Sequence, residues 1–500
     1  MSLAILIARA AVGVAAPKVT VEVQLAGGLP GFSIVGLAEA EVKESRDRVK
    51  AAIINSGYEF PVRKVTVNLA PADLPKEGGR FDLPIAIGIL AANGQIPLDA
   101  LAAYEFYGEL ALSGELRAVR GILPAVVKAC RAGRGVIVPA GNAAEAGLVD
   151  APKICYADTL AAVCTHLRGA EPLPICPKLP EVTPDFIQGG DMRDVRGQHL
   201  ARRALEVAAT GAHNILFIGP PGTGKSMLAQ RLAGILPQLE SKEALENAAI
   251  ASVSHYGVNI QNWRARPFRS PHHTASGVAL VGGGSTPKPG EISLAHNGVL
   301  FLDELTEWER NTLEVLREPL ESGRIVISRA ARHAEFPARF QLVAAMNPCP
   351  CGYAGDPAAR CQCSTEQVRR YRGRVSGPLL DRIDIQIEVP RVPQAQLRGG
   401  DAPESSMIVR TRVIEARNLA LKRAGKPNSQ LSNSEVERDC KMSERDHVLL
   451  DRLVERMGLS ARAYHRILKL ARSIADLACA EHIAALHLSE AVALRRVAQA

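Results

Sequence analysis

Gly219-Pro220-Pro221-Gly222-Thr223-Gly224-Lys225-Ser226 is the stretch whose reading decides the fold. Asn214–Ile218 runs into it as a short apolar segment of strand character, and Met227–Ala233 leaves it rich in helix formers. A glycine-rich loop joining a buried strand to a helix is the setting that the phosphate-loop pattern G-x-x-x-x-G-K-[ST] requires. Glycine lets backbone amides turn inward around a phosphate chain. The helix that follows points the positive end of its dipole at the same anion. Lys225 is placed to reach the β- and γ-phosphates of ATP, and Ser226 to ligate Mg²⁺.

The second half of such a site is expected downstream. Gly298–Leu302 reads as a buried strand ending at Asp303-Glu304, where Asp303 would hold Mg²⁺ and Glu304 would orient or deprotonate the attacking water. Gln341–Met346 reads as a third buried strand ending at Asn347. That residue either contacts the γ-phosphate or starts a turn before Pro348. Arg382, in Leu379–Asp384, is either a salt-bridged surface arginine or an arginine finger for a neighbouring subunit's γ-phosphate. Patterning alone does not separate these readings.

The 500 residues suit two to four domains, and 47% apolar content supports ordinary packed cores. A net charge of +8 fits a polyanion partner and equally a basic soluble enzyme. No run of apolar residues is long enough for a membrane helix. Met1–Ala16 is apolar but lacks a basic start and is interrupted by Arg9, so Leu3–Ala8 reads as a strand, not as part of a signal peptide. Strands are expected at Val19–Leu25, Phe32–Gly36, Lys64–Leu69, Tyr104–Leu112 and Gly135–Val138. Helices are expected at Glu39–Ser56, Phe81–Ala91 and Leu123–Ala132.

The result is an α/β multidomain chain. Residues 1–168 form an α/β domain, and 169–190, dense in proline, a linker. Residues 191–395 form the phosphate-loop core, and 396–500 a small helical domain whose helix after Ser460 carries Arg462, Arg466, Lys469 and Arg472 as a basic, solvated face.

Between the core elements lie two insertions. His272–Gly290, with Lys288, reads as a mobile loop. Glu314–Phe340 reads as a helix and then a hairpin whose tip, around Arg329, Arg332 and His333, is either solvated or a contact for nucleic-acid phosphates. Cys349-Pro350-Cys351 and Cys361-Gln362-Cys363 supply four thiols in a short loop, which suit tetrahedral Zn²⁺ or remain free or redox-sensitive. The other six cysteines are scattered, and a nucleotide-hydrolysing loop points to a reducing, cytoplasmic setting.

Gly219–Ser226, Pro289–Leu305, Ala344–Gly352 and Ser376–Ile385 together resemble the ComM/YifB group of magnesium-chelatase-like AAA+ ATPases, along essentially the whole chain. The resemblance implies a bacterial, cytoplasmic, hexameric DNA helicase that promotes branch migration, so that donor DNA is integrated by homologous recombination during natural transformation. It implies sensor 1 for Asn347, a trans-acting finger for Arg382 and a sensor 2 arginine for Arg462. It also places the loop at Lys288 and the hairpin at Arg329 in a central channel, and makes the four cysteines part of the family pattern. The N-terminal domain resembles the Lon-protease fold, with a departure: Arg80 stands at the nucleophilic serine's place and Leu123 at the catalytic lysine's. A serine–lysine dyad needs both groups, so peptide cleavage is not expected. The alternative function is a chelatase-type motor subunit driving metal insertion through a partner protein.

Overall fold

Strand Ile215–Ile218 is buried at every position, inside a five-stranded sheet ordered Phe268–Arg269, Val299–Leu302, Gln341–Met346, Ile215–Ile218, Ile385–Glu388. Every neighbouring pair is parallel. A parallel sheet needs cover on both faces, and the alternation of side chains sorts these strands into two cores. Ile215, Phe217, Phe301, Val343 and Ala345 face one, against Leu205, Leu228 and Leu232 of helices His199–Gly211 and Lys225–Ile235. Leu216, Ile218, Leu300, Leu302, Leu342 and Ala344 face the other, with Trp308 and Phe336.

This computed structural model describes residues 2–36, 40–178, 189–284, 286–329, 332–355, 361–393, 403–456 and 460–495. Among them no helix is long and apolar enough to cross a membrane.

The N-terminal part is a seven-stranded sheet ordered Gly31–Val35, Lys64–Ala70, Lys18–Ala26, Ser2–Arg9, Tyr104–Phe106, Gly135–Pro139, Ile154–Ala157. Helix Asp82–Ala92 packs on it with every residue buried. Arg9, the interruption in the first apolar run, is itself buried: its Nε and Nη2 each donate to the Glu105 carboxylate at 2.9 Å. The single strand expected over Tyr104–Leu112 is broken after Phe106, and at Gly108, between the two pieces, a side chain would meet Leu116 Cδ2 at 2.9 Å. Tyr104–Phe106 stays in the sheet, while Glu109–Leu110 pairs with Leu116–Arg117.

The tether is shorter than 169–190 at its N-terminal end. Leu173 and Cys176 are buried in the first core. Tyr156 N donates to Pro174 O at 3.0 Å and Cys176 N to Ile154 O at 2.8 Å, so the proline-rich segment extends the sheet edge before it leaves. Residues 179–188 of the expected linker lie outside the described residues.

The C-terminal helices Ser406–Ala424, Asn433–Asp439, Glu444–Arg456, Ala461–Leu477 and Ala485–Ala493 share a hydrophobic core with the phosphate-loop sheet. Val409, Val413, Ile467 and Ile474 join the same core as Ile215 and Phe217. The last of these helices starts at Ala485. The sequence expects a helix over Ser443–Met457 that ends at Gly458 as a C-cap, and that end lies outside the described residues.

Of the basic face after Ser460, Arg462 is exposed, but Arg466, Lys469 and Arg472 are drawn inward. Arg472 is 1% exposed and donates to Ala480 O and Glu481 O at 2.5 and 2.8 Å. Lys469 donates to Ser429 O, and Arg466 pairs with Asp384 at 2.5 Å. Asp476, also 1% exposed, accepts from Arg423, Asn428 and Arg472. A charge pattern read along one helix misses partners that arrive from other helices. Removing one side of a buried pair strands the other charge, so Asp476→Ala is expected to cost ~3–5 kcal/mol, read as a lower urea midpoint. An unchanged midpoint would mean the carbonyl acceptors alone satisfy the two arginines.

Candidate active site and four-cysteine cluster

The phosphate loop opens at the carboxyl end of Ile215–Ile218, where open α/β sheets bind ligands. A Cβ at Gly219 would stand 2.3 Å from Val389 O, so only glycine lets the loop leave this crowded strand end. Gly224, at φ +87°, takes the left-handed turn into helix Lys225–Ile235. Thr223 is structural here: its hydroxyl donates to Pro220 O at 3.0 Å.

Two contacts assemble the site from distant segments. Ser226 Oγ donates to Asp303 Oδ2 at 2.6 Å. The Lys225 ammonium donates to Asn347 Oδ1 at 3.1 Å and to the loop carbonyls of Gly219 and Pro220 at 2.7 and 3.0 Å. Burial lowers the Lys225 pKa, while the carboxylates of Asp303 and Glu304 act in the opposite direction. A hydroxyl beside a carboxylate is an oxygen donor pair suited to a hard divalent cation.

Glu304 sits in the left-handed region at φ +49°, a costly conformation for a residue with a side chain. Its amide donates to Asp303 Oδ1 at 2.9 Å, and Trp308 Nε1 donates to Asp303 O at 3.0 Å, so the turn is held from both sides. The exposed Glu304 carboxylate lies 3.3 Å from His273 Nδ1. His273 was not singled out from sequence. The strand that leads towards it, Phe268–Arg269, is two residues long and gives no readable alternation. The only signal was a pair of histidines after a possible strand end.

Arg382 lies at the other end of the sheet. Its carbonyl accepts from Asn214 Nδ2 at 3.0 Å and from Arg466 at 3.1 Å, and Asn214 precedes the strand that Gly219 follows. About 13 Å of strand, at ~3.3 Å per residue, therefore separates that anchor from the phosphate loop. The Arg382 guanidinium pairs with Glu321, which holds that carboxyl below its ordinary range. Arg462 is exposed one turn before Arg466 on the same helix, and its charge also acts on Glu321. The structure thus groups Arg462 with Arg382, not with Lys225.

Cys349, Cys351, Cys361 and Cys363 present sulfurs that all lie within 4.8 Å of one another. Cys349 Sγ is 3.4 Å from Cys351 and 3.8 Å from Cys361, and Cys351 is 3.7 Å from Cys361. A tetrahedron with Zn–S bonds of ~2.3 Å has an edge of about 3.8 Å; a disulfide is far shorter. The donor set therefore fits zinc. The Tyr353 amide draws the Cys351 thiol down to about 6.

The His272–Gly290 loop carries regular structure: helix Gly277–Val281, then Gly282–Gly283 paired with Lys288–Pro289. It packs beside the hairpin Arg324–Arg329/Arg332–Pro337, since a Cβ at Gly282 would meet Ile327 Cδ1 at 3.0 Å. Lys288 and His333 are exposed. Arg329 and Arg332 are cross-strand partners at the hairpin's end. The N-terminal part touches both insertions, through Glu77 on Thr286 and Gly13 on Phe336. Arg80 is buried and donates to Arg120 O at 2.6 Å, and buried Leu123 takes its amide partner from Ser252 of the phosphate-loop core. Both positions hold structure together and offer neither a nucleophile nor a base.

Comparison with known proteins agrees with this layout. The family described as magnesium chelatase, subunit ChlI, matches residues 191–397. Related ChlI descriptions match residues 21–142 and, as the C-terminal part, 403–495. The chain is 52% identical to competence protein ComM of Haemophilus influenzae over 500 residues, covering 99% of this chain and 98% of that protein. It is 52% identical, at the same coverage, to the uncharacterized protein YifB of Escherichia coli. The magnesium-chelatase subunit ChlI of Porphyra purpurea is 25% identical over 206 residues, 37% of this chain and 52% of that protein.

Proposed function

Because the chain belongs to the ComM/YifB family of magnesium-chelatase-like AAA+ ATPases, which implies ATP hydrolysis, we propose that it is a ring-forming motor that spends ATP to drive branched DNA. In this reading it is cytoplasmic, a hexamer, and promotes branch migration and integration of donor DNA during transformation. The observation that carries the ATPase part is the convergence of Lys225 on Asn347 and of Ser226 on Asp303.

Lys225 exchanges its loop carbonyls for phosphate oxygens, and Asn347 steers it there. Ser226 and Asp303 would hold Mg²⁺, which would supply positive charge beside the transferring phosphoryl group. Glu304 orients water and takes its proton, with His273 restraining its carboxylate. Arg382, at the far end of its own sheet, serves the loop of a neighbouring subunit, and Arg462 travels with it. Lys288, Arg329, Arg332 and His333 contact DNA phosphates from the two insertions, which makes binding sequence-tolerant and salt-sensitive. The N-terminal domain, Lon-like but without its serine and lysine, braces those insertions instead of cutting peptides. The cysteine cluster holds Zn²⁺, and metal analysis should give about one zinc per chain, four thiolates making one site; zinc-free, fully active protein contradicts this.

The deciding experiment measures ATPase rate with and without forked DNA, together with strand displacement on a labelled three-strand junction. ATP-dependent displacement that vanishes in Lys225→Ala supports the DNA motor. Hydrolysis without DNA stimulation or displacement points instead to a chelatase-type motor acting on a partner protein.

A further inference from the structure

The cysteine loop and the nucleotide site share a wall. Asn347, which accepts from Lys225 at 3.1 Å, is two residues before Cys349, whose side chain is fully buried. From Cys351 the chain turns at Gly352, φ +84°, directly onto the phosphate loop. A Cβ at Gly352 would stand 2.8 Å from Pro221 Cδ and 3.9 Å from Asn347 Cγ. The residue that touches the phosphate loop therefore adjoins one thiol ligand, and the residue that steers Lys225 lies just before another.

Local hydrogen bonds hold this turn, with the Tyr353 and Gln362 amides also on Cys351. Gly352 N donates to Cys349 O at 2.9 Å, Ala354 N donates to Cys349 Sγ at 3.2 Å, and Arg372 Nε donates to Pro348 O at 3.1 Å. Pro348 and Pro350 contribute no amide donor. Four thiolates gathered this closely repel one another, and a bound dication converts that repulsion into a rigid clasp.

We propose that the thiolate-held metal is a strut that presses the Cys349–Gly352 turn onto Pro221 and Asn347, so that nucleotide binding depends on the metal. The proposal rests on the readings above of the cluster as a zinc site and of the phosphate loop as an ATP site. The clasp fixes Cys349 and Cys351 against Cys361 and Cys363; without it Gly352 loses its seat on the loop, and Asn347 its alignment with Lys225.

The test uses the full-length protein in excess Mg²⁺ and reads zinc content, affinity for a fluorescent ATP analogue and ATPase rate side by side. Zinc is stripped with a chelator that competes with thiolates and then restored as zinc alone. A second arm uses Gly352→Val, which keeps all four cysteines and drives a side chain into Pro221. Stripping is expected to weaken nucleotide affinity about 10–100-fold, the usual cost of losing an outer support, with recovery on adding zinc. Gly352→Val is expected to retain its zinc and show a loss of the same order. Unchanged affinity after stripping, or a zinc-replete Gly352→Val that binds nucleotide like wild type, overturns the proposal. So does wild-type protein that carries no metal, which faults the metal reading, or zinc-replete wild type that binds no nucleotide, which faults the ATP reading.

Discussion

Lys225→Ala is expected to abolish ATP turnover while leaving the fold in place. The ammonium joins the phosphate loop to Asn347 Oδ1, just after the Gln341–Met346 strand, and it lies within the field of Asp303 and Glu304. When phosphates enter, its charge is the local counterweight to theirs. Losing one preorganised donor at developing charge costs ~3–4 kcal/mol, about 10²–10³-fold in rate, and here a full positive charge goes with it. The loop itself should survive, because Thr223 still ties it to Pro220 and Ser226 to Asp303. Steady-state phosphate release checks the rate, and a urea midpoint checks the fold. Turnover near wild type would remove the phosphate-loop assignment.

Arg382→Ala is expected to lower turnover by about 10³–10⁵-fold, the range found when an arginine finger is lost, with ATP affinity nearly unchanged. The Arg382 backbone is pinned beside Asn214 and Arg466 at the amino ends of the strands. Asp384, two residues on, anchors that end: burial works against its carboxylate, but His213 and Arg466 outweigh it and hold the carboxyl well below its ordinary range. So rigid a placement rules out service to the loop of the same subunit. Mixing Arg382→Ala with Glu304→Gln subunits should restore part of the activity, since some interfaces then combine an intact finger with an intact water-activating carboxylate. Mixtures no more active than either variant would show that Arg382 does not act across the interface. Glu321, its partner within the subunit, has to release it before it can reach a neighbour.

The phosphate loop was legible because its requirements are local. Strand, glycines, lysine, serine and helix follow one another without interruption, and the backbone turn at Gly224 is a property of that residue alone. The strands ending at Asp303 and Asn347 were legible for a similar reason: strands buried on both faces read as continuous apolar runs. The spacing of the four cysteines left a metal site and free thiols both open, and only the folded loop brings the sulfurs to separations that fit a tetrahedral site.

Other features depend on segments that meet from far apart. Arg466 and Lys469 find their acceptors on Asp384 and Ser429, 82 and 40 positions away, and Asp476 draws in Arg423 from 53 positions away. Helix periodicity reports a face but not what covers it. The end of the proline-rich segment looked like a free tether because proline excludes helix, yet its remaining donors and acceptors extend a sheet edge.

The sequence by itself determined the phosphate-loop pattern and the α/β core around it, because these depend on residue identity and short-range backbone preference. Tertiary structure alone decided that Arg382 and Arg462 stand at the far edge of the sheet, that His273 meets Glu304, and that Gly352 rests on Pro221. Those outcomes follow from strand order and from packing between segments tens of residues apart, which no local pattern encodes.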